Sequence, residues 1–572
     1  MAAAASRPWG LGALALVAYV PAFLAVLEAE RPAHGAVVAA VASLGLGSVA
    51  YEAAEALFPG GHLAAALLAS VPYLPVGALA VRLRRVLARR LGPLRAAALT
   101  LLVLPSLWSA AEWLPSRPEL LGVYALPLGF IGYSQVDLPT ARLARLGSVA
   151  AVSHVVLLCN ACVAVAVVAA RRTRRLRDRR PSRRLSPHGR RLPRRARAAA
   201  AVALLAAATS GYPSGGPVTG GYLSGGPVVG GSPAGGPVAP DYPAGGPVAP
   251  DYPTGGPVAG GSTGDASSAT SGSLGAPAAS AAPGSRNVSA APPLPAPPSL
   301  WVTVVQPVLP DAAYFAASRF PAARARLVGR LASLAVGRAD LTVLPEAAWP
   351  GPLDSGELPA VTAEVSAAFG GAGAVLFGAP AVGFLGGRAR TNSAFLYDGS
   401  AVRHAYAKLR LVPIGESGFA AGGAPAVVTV AGVALAPFVC YDALFPSDAR
   451  AAVRAGARVL VVITDDAFAA GSDVPELHLR AARMRAIETG TPVVLAANTG
   501  PSAVVEPSGR VAARLPALEA GSLRAVVRPG DGATTYVALG DWLGAINAMF
   551  TGGLAAALSR GGDADKGPAQ AL

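Results

Sequence analysis

"VVTVAGVALAPFVCYD", residues 427–442, is a β-rich apolar run that ends in a cysteine, a tyrosine and an aspartate. Similar short runs recur between residues 301 and 532, among them "LTVLPE" (341–346) and "VLVVITDD" (459–466). Helical patterns lie between these runs, at about 312–336, 356–369, 447–456 and 475–489. Buried strands that alternate with helices are typical of a layered fold. Residues 301–532 are therefore predicted to form an α/β domain.

The chain as a whole has the composition of a membrane protein. Hydrophobic residues make up 53% of the sequence and charged residues only 14%, a balance that is unusual in soluble domains. Apolar runs of about 20 residues, the length that spans a bilayer, lie at 9–27, 35–58, 62–81, 95–113 and 146–170. Residues 1–170 are therefore predicted to form a polytopic α-helical membrane domain, with one more crossing at 538–558 and a polar tail at 559–572.

The positive charge of the chain is concentrated in one segment. The net charge is +16, and residues 171–197 alone carry 14 arginines against one aspartate. By the positive-inside rule this is a cytoplasmic loop, and arginines 82, 84, 85, 89, 90 and 95 mark a second one. An arm for nucleic acid and a patch for anionic lipid are the alternatives. Since the segment has no aromatic residue on which bases would stack, we expect no nucleic-acid partner.

Two further segments separate the arginine-rich loop from the α/β domain. Residues 198–209, "AAAAVALLAAAT", form a helix of only ~18 Å, and we interpret them as a short crossing. Residues 210–300 are rich in Gly, Pro, Ser and Ala, with GGPV recurring every ten residues from 215. A repeat so poor in large apolar groups cannot bury a core. It is predicted to be a disordered spacer. The crossing at 198–209 is needed for the topology, because the α/β domain that follows is expected outside the cytoplasm.

Three polar residues follow apolar runs of the predicted α/β domain. Glu346 ends "LTVLPE", Cys440 ends "LAPFVC", and Lys408 stands between them in sequence. Lys408 is conspicuous because the chain contains only two lysines, Lys408 and Lys566, among 48 basic residues. Strand ends in α/β domains are places where side chains converge in a cleft. These three residues are therefore the candidate catalytic residues.

Their chemistry is complementary. A thiolate is a strong nucleophile toward an acyl carbon, but an apolar setting raises the pKa of a cysteine. Glu346 can accept the thiol proton, and an ammonium such as that of Lys408 favours the thiolate and stabilises an oxyanion. A lysine supplies a compact charge on a flexible stem, whereas arginine is a broad planar fork. Taken singly, each residue also fits a structural role: a buried cysteine, a capping glutamate or a solvated lysine.

Longer phrases around these residues carry a resemblance. "VLPEAAWP" (343–350), "YAKLRLVPIGE" (406–416), "VCYDALFP" (439–446) and the stretch 477–511 resemble four signature stretches of the nitrilase superfamily. In particular they resemble its membrane-embedded branch, apolipoprotein N-acyltransferase. "YVPAFLAVL", "SAAEWL" and "GYSQVDLPTARLARLGSVAAVSHVVLLCNA" are similar to that family's helices and outer loops. The resemblance implies a four-layer α-β-β-α sandwich for the catalytic domain.

The resemblance also implies roles and a reaction. Glu346 matches the general base, Lys408 the oxyanion stabiliser and Cys440 the nucleophile. The implied ping-pong reaction moves a fatty acyl chain from a phospholipid to Cys440 as a thioester. The amine of an N-terminal diacylglyceryl-cysteine of an apolipoprotein then accepts the chain as an amide. No cofactor or metal is implied, and the implied location is the bacterial inner membrane with the catalytic domain on the periplasmic side.

Three further positions correspond to active-site positions of the family, although the chain departs from the family pattern in several places. Glu416 matches the family's second active-site glutamate and Tyr441 its tyrosine after the cysteine, whereas Asp442 stands where the family usually has glutamate. Asp465 and Phe468 are substitutions beside the pocket, and only 23 residues separate Glu416 from Cys440, where the family has a longer arm. A membrane-tethered amidase that acts on a small amide, and a lipoprotein-binding paralogue without activity, therefore remain alternatives.

Overall fold

The computed structural model describes residues 11–50, 60–125, 127–178, 299–309, 321–335, 337–370, 373–413, 415–470 and 472–564. The crossing predicted at 198–209, most of the arginine-rich loop predicted at 171–197 and nearly all of the spacer predicted at 210–300 lie outside these residues. The described part comprises an N-terminal helical region, an α/β domain and a C-terminal helix.

The N-terminal region contains helices that pack around one aromatic cluster. The helices are α1 (Val20–Glu28), α2 (Pro32–Ala50), α3 (Gly61–Ser70), α4 (Leu74–Leu91), α5 (Pro93–Trp113) and α6 (Ala144–Asp178), the last interrupted at Gly147 and Ser148. The Trp108 ring lies 4.9 Å from Tyr19, 5.6 Å from Phe23 and 4.9 Å from Tyr73, measured between centroids. These rings bind α1, α4 and α5 together, because aromatic side chains bury large areas.

Four helical segments among the described residues are long and apolar enough to cross a membrane. They are Gly61–Leu91, Pro93–Ser116, Pro139–Arg174 and Trp542–Arg560. The first two predicted runs form shorter apolar segments there, Gly12–Glu28 and Pro32–Gly47. The expectation of several apolar helices is confirmed, although the domain boundaries stay a prediction.

The first apolar run is broken at Tyr19 for a local reason. Pro21 lies in the first turn of α1, and proline cannot donate the hydrogen bond that a continuous helix would need there. Asn160 of α6 repairs the break: its Nδ2 donates to the Ala15 carbonyl (2.8 Å), and its Oδ1 accepts from the Tyr19 N–H (2.7 Å). A side chain of α6 thus satisfies backbone groups on both sides of the break.

The prediction of a cytoplasmic loop at arginines 82–95 is wrong in its local structure. Helix α4 continues to Leu91, and only Gly92 separates it from α5. Arginine is a good helix former, and no glycine or proline interrupts the sequence between residues 78 and 91. The same reason lets α6 run on to Asp178, into the arginine-rich segment predicted as a loop from residue 171.

The α/β domain contains two six-stranded sheets. The first has the order β12 (Gly521–Val527), β1 (Leu300–Gln306), β2 (Leu341–Val343), β3 (Ala374–Val382), β4 (Arg390–Tyr397) and β5 (Val402–Ala407). The second has the order β11 (Val511–Arg514), β10 (Ala503–Val505), β9 (Val493–Ala497), β8 (Val459–Thr464), β7 (Val433–Val439) and β6 (Val428–Val430). Pairs β1–β2, β2–β3, β7–β8 and β8–β9 are parallel.

The sheets and helices form four layers. Apolar residues of both sheets, among them Val304, Leu376 and Val461, form one buried cluster between them. The outer face of the first sheet packs on α7 (Pro321–Leu334) and α8 (Leu358–Phe369). That of the second packs on α9 (Pro446–Arg454) and α10 (Val474–Thr489). The expected α-β-β-α sandwich is confirmed.

A buried ion pair joins the α/β domain to the helical region. Arg485 and Glu488 of α10 are both buried, with Arg485 Nη2 3.0 Å from Glu488 Oε1. Glu488 Oε1 also accepts from the N–H of Val149 in α6 (2.7 Å), and Arg485 Nη2 donates to the hydroxyl of Tyr133 (3.2 Å). The chain then passes through α11 (Thr535–Leu539) into α12 (Trp542–Ala564). The Arg485–Glu488 ion pair therefore links the α/β domain to the helical region.

We expect Glu488→Ala to lower the free energy of unfolding by about 3–5 kcal/mol, because it leaves the Arg485 charge buried and uncompensated. The measurement is the melting temperature of the full chain in detergent. Glu506→Ala is the matched control: Glu506 pairs with Arg510 across one turn, but both side chains are exposed. Such a surface pair contributes about 0–1 kcal/mol. Equal melting temperatures for the two variants would contradict the anchoring role of Glu488.

Candidate active site

The three candidate catalytic residues lie just beyond the ends of strands. Glu346 comes three residues after β2, Lys408 directly follows β5, and Cys440 directly follows β7. All three are buried. Because β2 and β5 belong to the first sheet and β7 to the second, the residues sit where the two sheets face each other. Rigid strands thus set their separation, as a catalytic constellation requires.

The backbone is unusual on both sides of this site. Cys440 has a φ of 50°, a left-handed conformation that few residues other than glycine adopt and that often marks functional positions. It begins the short 3-10 turn Cys440–Leu444. At Glu346, the backbone of β3 approaches closely. If Gly378 of β3 carried a Cβ atom, that atom would lie 2.7 Å from the Cα of Glu346. Only a glycine permits this close approach of β3 to the Glu346 backbone.

The ammonium of Lys408 lies between two carboxylates. Its Nζ is 2.9 Å from Glu416 Oε1 and 3.4 Å from Glu346 Oε1. Asn392 of β4 bridges the same two oxygens, since its Nδ2 donates to Glu346 Oε1 (2.7 Å) and to Glu416 Oε1 (2.8 Å). The N–H of Asp465 donates to the other oxygen of Glu346 (2.8 Å). The structure therefore brings Glu346, Lys408 and Glu416 into one hydrogen-bonded cluster.

This cluster controls the charges around the sulfur. Burial opposes the charge of Lys408, yet Glu346, Cys440 and Glu416 together raise the pKa of Lys408 above its usual value. Burial and the Glu346 carboxylate raise the pKa of the Cys440 thiol, while the Lys408 ammonium lowers it. Cys440 is therefore a thiol in the resting protein, and Lys408 is the cation that favours its ionisation.

Tyr441 and Asp442 point to different parts of the protein. The Tyr441 hydroxyl donates to the carbonyl of Ala125 (2.9 Å), in the loop that follows α5. Burial raises the pKa of Tyr441, so the phenol stays protonated. Its ring meets Phe445 edge-on, with centroids 5.3 Å apart. Tyr441 thus ties the turn that carries Cys440 to the helical region.

Asp442 holds the backbone next to Lys408. Its Oδ1 accepts from the N–H groups of Leu409 (3.1 Å) and Arg410 (2.6 Å). Its Oδ2 accepts from the Tyr406 hydroxyl (2.7 Å) and the Val439 N–H (3.1 Å). Burial raises the pKa of Asp442 to about 7, whereas Lys408 and these donors favour the charged form. Since all four of these contacts are donors, Asp442 acts as a carboxylate that joins the Lys408 and Cys440 turns.

Two family patterns match the chain, one in each half. Residues 1–162 match the apolipoprotein N-acyltransferase N-terminal domain, and residues 311–535 match the carbon-nitrogen hydrolase family. Together these matches support the resemblance of the chain to apolipoprotein N-acyltransferase, the membrane-embedded branch of the nitrilase superfamily. The membrane helices and the α/β domain thus have a common family context.

Similar proteins named apolipoprotein N-acyltransferase come from several bacteria. That of Geobacter metallireducens is 30% identical over 233 residues, 36% of this chain and 43% of the relative. That of Pseudomonas paraeruginosa is 33% identical over 157 residues, 24% and 30% of the two chains. That of Photobacterium profundum is 36% identical over 111 residues, 19% and 22%. The alignments therefore span less than half the length of these relatives.

Similar solved structures belong to the nitrilase superfamily. A Nesterenkonia amidase covers 43% of this chain and 92% of its own, with 24% identity and a TM-score of 0.31. A CN-hydrolase superfamily protein from Xanthomonas campestris covers 42% and 92%, with 20% identity and a TM-score of 0.32.

Sequence patterns alone missed several residues of the site. Asn392 is the third residue of β4 and stands between the polar residues Thr391 and Ser393, so the sequence gives no local signal for it. Asp465, noted as a substitution, contributes its backbone N–H to Glu346, and its Oδ1 accepts from Asn498 (3.0 Å). Phe468, the other noted substitution, is 49% exposed. It therefore lies at the surface rather than in the packed site.

Cys440 also has two neighbours that no motif indicated. The sulfur, a carboxylate oxygen of Asp466 and a ring nitrogen of His478 all lie within 4.8 Å of one another. Asp466 Oδ1 is 2.8 Å from His478 Nδ1. These are donor types that hold metal ions, and they form a second group of polar side chains at the sulfur, apart from Glu346 and Glu416.

We expect Asp442→Asn to lower stability by about 1–3 kcal/mol, because its NH₂ group then faces either the N–H groups of Leu409 and Arg410 or the N–H of Val439. Tyr406→Phe is the control, since it removes only one of the four donors and leaves the carboxylate, at about 0.5–1.5 kcal/mol. The melting temperature of each full-length variant is the measurement. A melting temperature for Asp442→Asn as high as that of the wild type would show that the four-donor arrangement does not stabilise the turns.

Proposed function

We propose that the chain is an N-acyltransferase. It moves a fatty acyl chain from a phospholipid, through a Cys440 thioester, to the N-terminal diacylglyceryl-cysteine amine of apolipoproteins. The observation that carries the proposal is the buried Lys408 ammonium, 2.9 Å from Glu416 and 3.4 Å from Glu346, beside a cysteine in a strained turn. The match of residues 1–162 to the apolipoprotein N-acyltransferase N-terminal domain suggests the substrate class.

The first half-reaction forms the thioester. Glu346 accepts the proton of the Cys440 thiol, and the sulfur adds to the ester carbonyl of the phospholipid. Lys408 donates a hydrogen bond to the oxyanion of the tetrahedral intermediate, where a fixed charge in a dry site is most effective. The carbon–oxygen bond then breaks, Glu346 returns the proton to the departing oxygen, and lysophospholipid leaves.

The second half-reaction uses the same groups in the same order. The free amine adds to the thioester carbonyl while Glu346 accepts a proton from its nitrogen. The carbon–sulfur bond breaks, the sulfur takes up the proton, and the product is an amide. Glu416 and Asn392 position Lys408 and Glu346 through their hydrogen bonds, while Tyr441 and Asp442 support the turn that carries the sulfur.

The surroundings of the site suit a lipid substrate. The loop that receives the Tyr441 hydroxyl carries exposed apolar side chains, with Leu120 61% and Tyr124 66% exposed. This loop follows the span Pro93–Ser116, so it lies near the membrane surface if that span crosses. Apolar and aromatic side chains favour the interface between lipid and water. A donor phospholipid would therefore reach Cys440 from the bilayer.

The proposed location is the bacterial inner membrane, with the catalytic domain on the periplasmic side. The concentration of arginine after residue 170 supports a cytoplasmic end for the span Pro139–Arg174, by the positive-inside rule. The exposed apolar loop then faces outward, on the side where lipoproteins mature. Membrane association is shared with the family, whereas the side is part of the proposal.

The amidase alternative has one observation in its favour. Between Glu416 and β6 the described residues form turns and extended segments, with no helix over the site. A site without a long arm would also admit a small amide and then water. The acyltransferase and the amidase differ in the second half-reaction, because only the former needs an amine to discharge the enzyme.

We expect the purified protein, incubated with phospholipid that carries a labelled sn-1 chain, to accumulate label that neutral hydroxylamine releases. The reason is that Cys440 stores the acyl chain as a thioester. A diacylglyceryl peptide with a free N-terminus should then discharge the label to an amide. Mass spectrometry of the protein and the peptide measures both steps.

Cys440→Ala should retain no label, whereas Cys159→Ser and Cys162→Ser, in helix α6, should label like the wild type. Equal labelling of Cys440→Ala would overturn the nucleophile assignment. Release of free fatty acid alone, with no amide, would favour the amidase, and the absence of any thioester would favour the inactive paralogue.

A further inference from the structure

Cys440 belongs to a second constellation that the acyl-transfer chemistry does not use. Asp466 lies two residues beyond β8, and His478 lies on α10. The Cys440 sulfur, an Asp466 oxygen and a His478 nitrogen lie within 4.8 Å of one another, and both Cys440 and Asp466 are buried. A thiol, a carboxylate and an imidazole from three different elements therefore converge on one small volume.

The spacing suits a tetrahedral cation. Zinc binds sulfur at about 2.3 Å and nitrogen or oxygen at about 2.0–2.2 Å, which places its ligand atoms about 3–4 Å apart. The three atoms here are within 4.8 Å, with Asp466 Oδ1 and His478 Nδ1 at 2.8 Å. Side-chain shifts of about 0.5–1 Å bring them to that spacing. Three protein ligands leave the fourth position open.

The carboxylate is held in place by its own neighbours. The Thr464 hydroxyl donates to Asp466 Oδ1 (3.2 Å). A Cβ on Gly500 would lie 2.9 Å from Asp466 Oδ2, so the backbone of the loop after β9 packs directly on this group. Partners of this kind orient metal ligands and raise affinity. Asp466 is thus pre-positioned, with little freedom to turn away from the sulfur.

The charges also favour a divalent cation. Glu346, Glu416 and Lys408 together carry one net negative charge, because two carboxylates surround one ammonium. A thiolate and the Asp466 carboxylate add two more negative charges, which a divalent ion neutralises. The Lys408 ammonium repels such an ion, but the negative charges of Glu346 and Glu416 beside it offset that repulsion.

We propose that Cys440, Asp466 and His478 form a binding site for a soft divalent cation such as Zn²⁺, and that the bound ion blocks the nucleophile. Binding breaks the S–H bond, forms a sulfur–metal bond and releases the thiol proton to solvent. The proton that His478 Nδ1 shares with Asp466 moves to Nε2, or to solvent where Nε2 already carries one, so that the neutral ring binds through Nδ1. No electron is transferred. Thiolate ligands select zinc over magnesium and calcium, so the site discriminates between these ions.

The test uses full-length protein in detergent, reduced and freed of metal with a chelator, and titrated with Co²⁺. We expect one equivalent of Co²⁺ to give a thiolate-to-metal charge-transfer absorption that Zn²⁺ abolishes by displacement. Asp466→Asn and His478→Gln should weaken the affinity at least about tenfold, since each removes one ligand of three. Cys440→Ala should lose the charge-transfer band.

Two controls isolate the site. His404→Gln alters another half-buried histidine of the α/β domain, which contacts the Ser393 hydroxyl (3.0 Å), and should leave the affinity unchanged. Cys159→Ser with Cys162→Ser removes the thiols of α6 and should leave the band intact. As a second readout, Zn²⁺ should protect Cys440 of the wild type from alkylation by iodoacetamide, whereas Mg²⁺ should not.

Wild-type protein that gives no charge-transfer band with excess Co²⁺ would overturn the proposal, and this measurement does not depend on the folding of any variant. Unchanged affinity in a folded His478→Gln, judged by its melting temperature, would equally overturn it. Neither result bears on acyl transfer, because that activity is measured separately as the hydroxylamine-labile label, with a chelator added to the incubation.

Discussion

The structure of the site depends on one buried charge. Lys408 is 1% exposed, and an ammonium that leaves water without partners costs several kcal/mol. Glu346 and Glu416 supply those partners, and both lie within hydrogen-bonding distance of its Nζ. The ammonium therefore links Glu346 to the segment that carries Lys408 and Glu416, with Glu346 and Lys408 62 residues apart in the chain, and its charge lowers the pKa of the Cys440 thiol.

The layers of the fold maintain this arrangement. Asn392 in β4 donates to both glutamates, and the Asp465 N–H after β8 reaches Glu346 from the opposite sheet. Asp442 ties the turn after β5 to the turn after β7 through four hydrogen bonds. The sandwich thus does more than bury apolar residues, because its two sheets each supply part of one polar cluster. Tyr441 and Glu488 then join that cluster's domain to the membrane helices.

The sequence predicts some of this and not the rest, for physical reasons. Apolar alternation and strand-end polar residues were sufficient for the α/β layers and for the position of Glu346, Lys408 and Cys440 just after strands, since those signals are local. Arginine-rich stretches were misleading at residues 82–90, because charge reports the side of a membrane whereas helix formation depends on propensity and breakers. Asn392, Asp466 and His478 gave no local signal. Their proximity to the site arises only when β4, β8 and α10 pack together.

The central claim is that the Lys408 charge makes the Cys440 sulfur a nucleophile. The most direct measurement is the rate at which iodoacetamide alkylates Cys440 at neutral pH, in wild type and in Lys408→Met, with a chelator present. Methionine retains the length of the lysine side chain without its charge, so the account predicts a rate lower by about tenfold for each unit by which the thiol pKa rises. An unchanged rate in a folded Lys408→Met protein would contradict it.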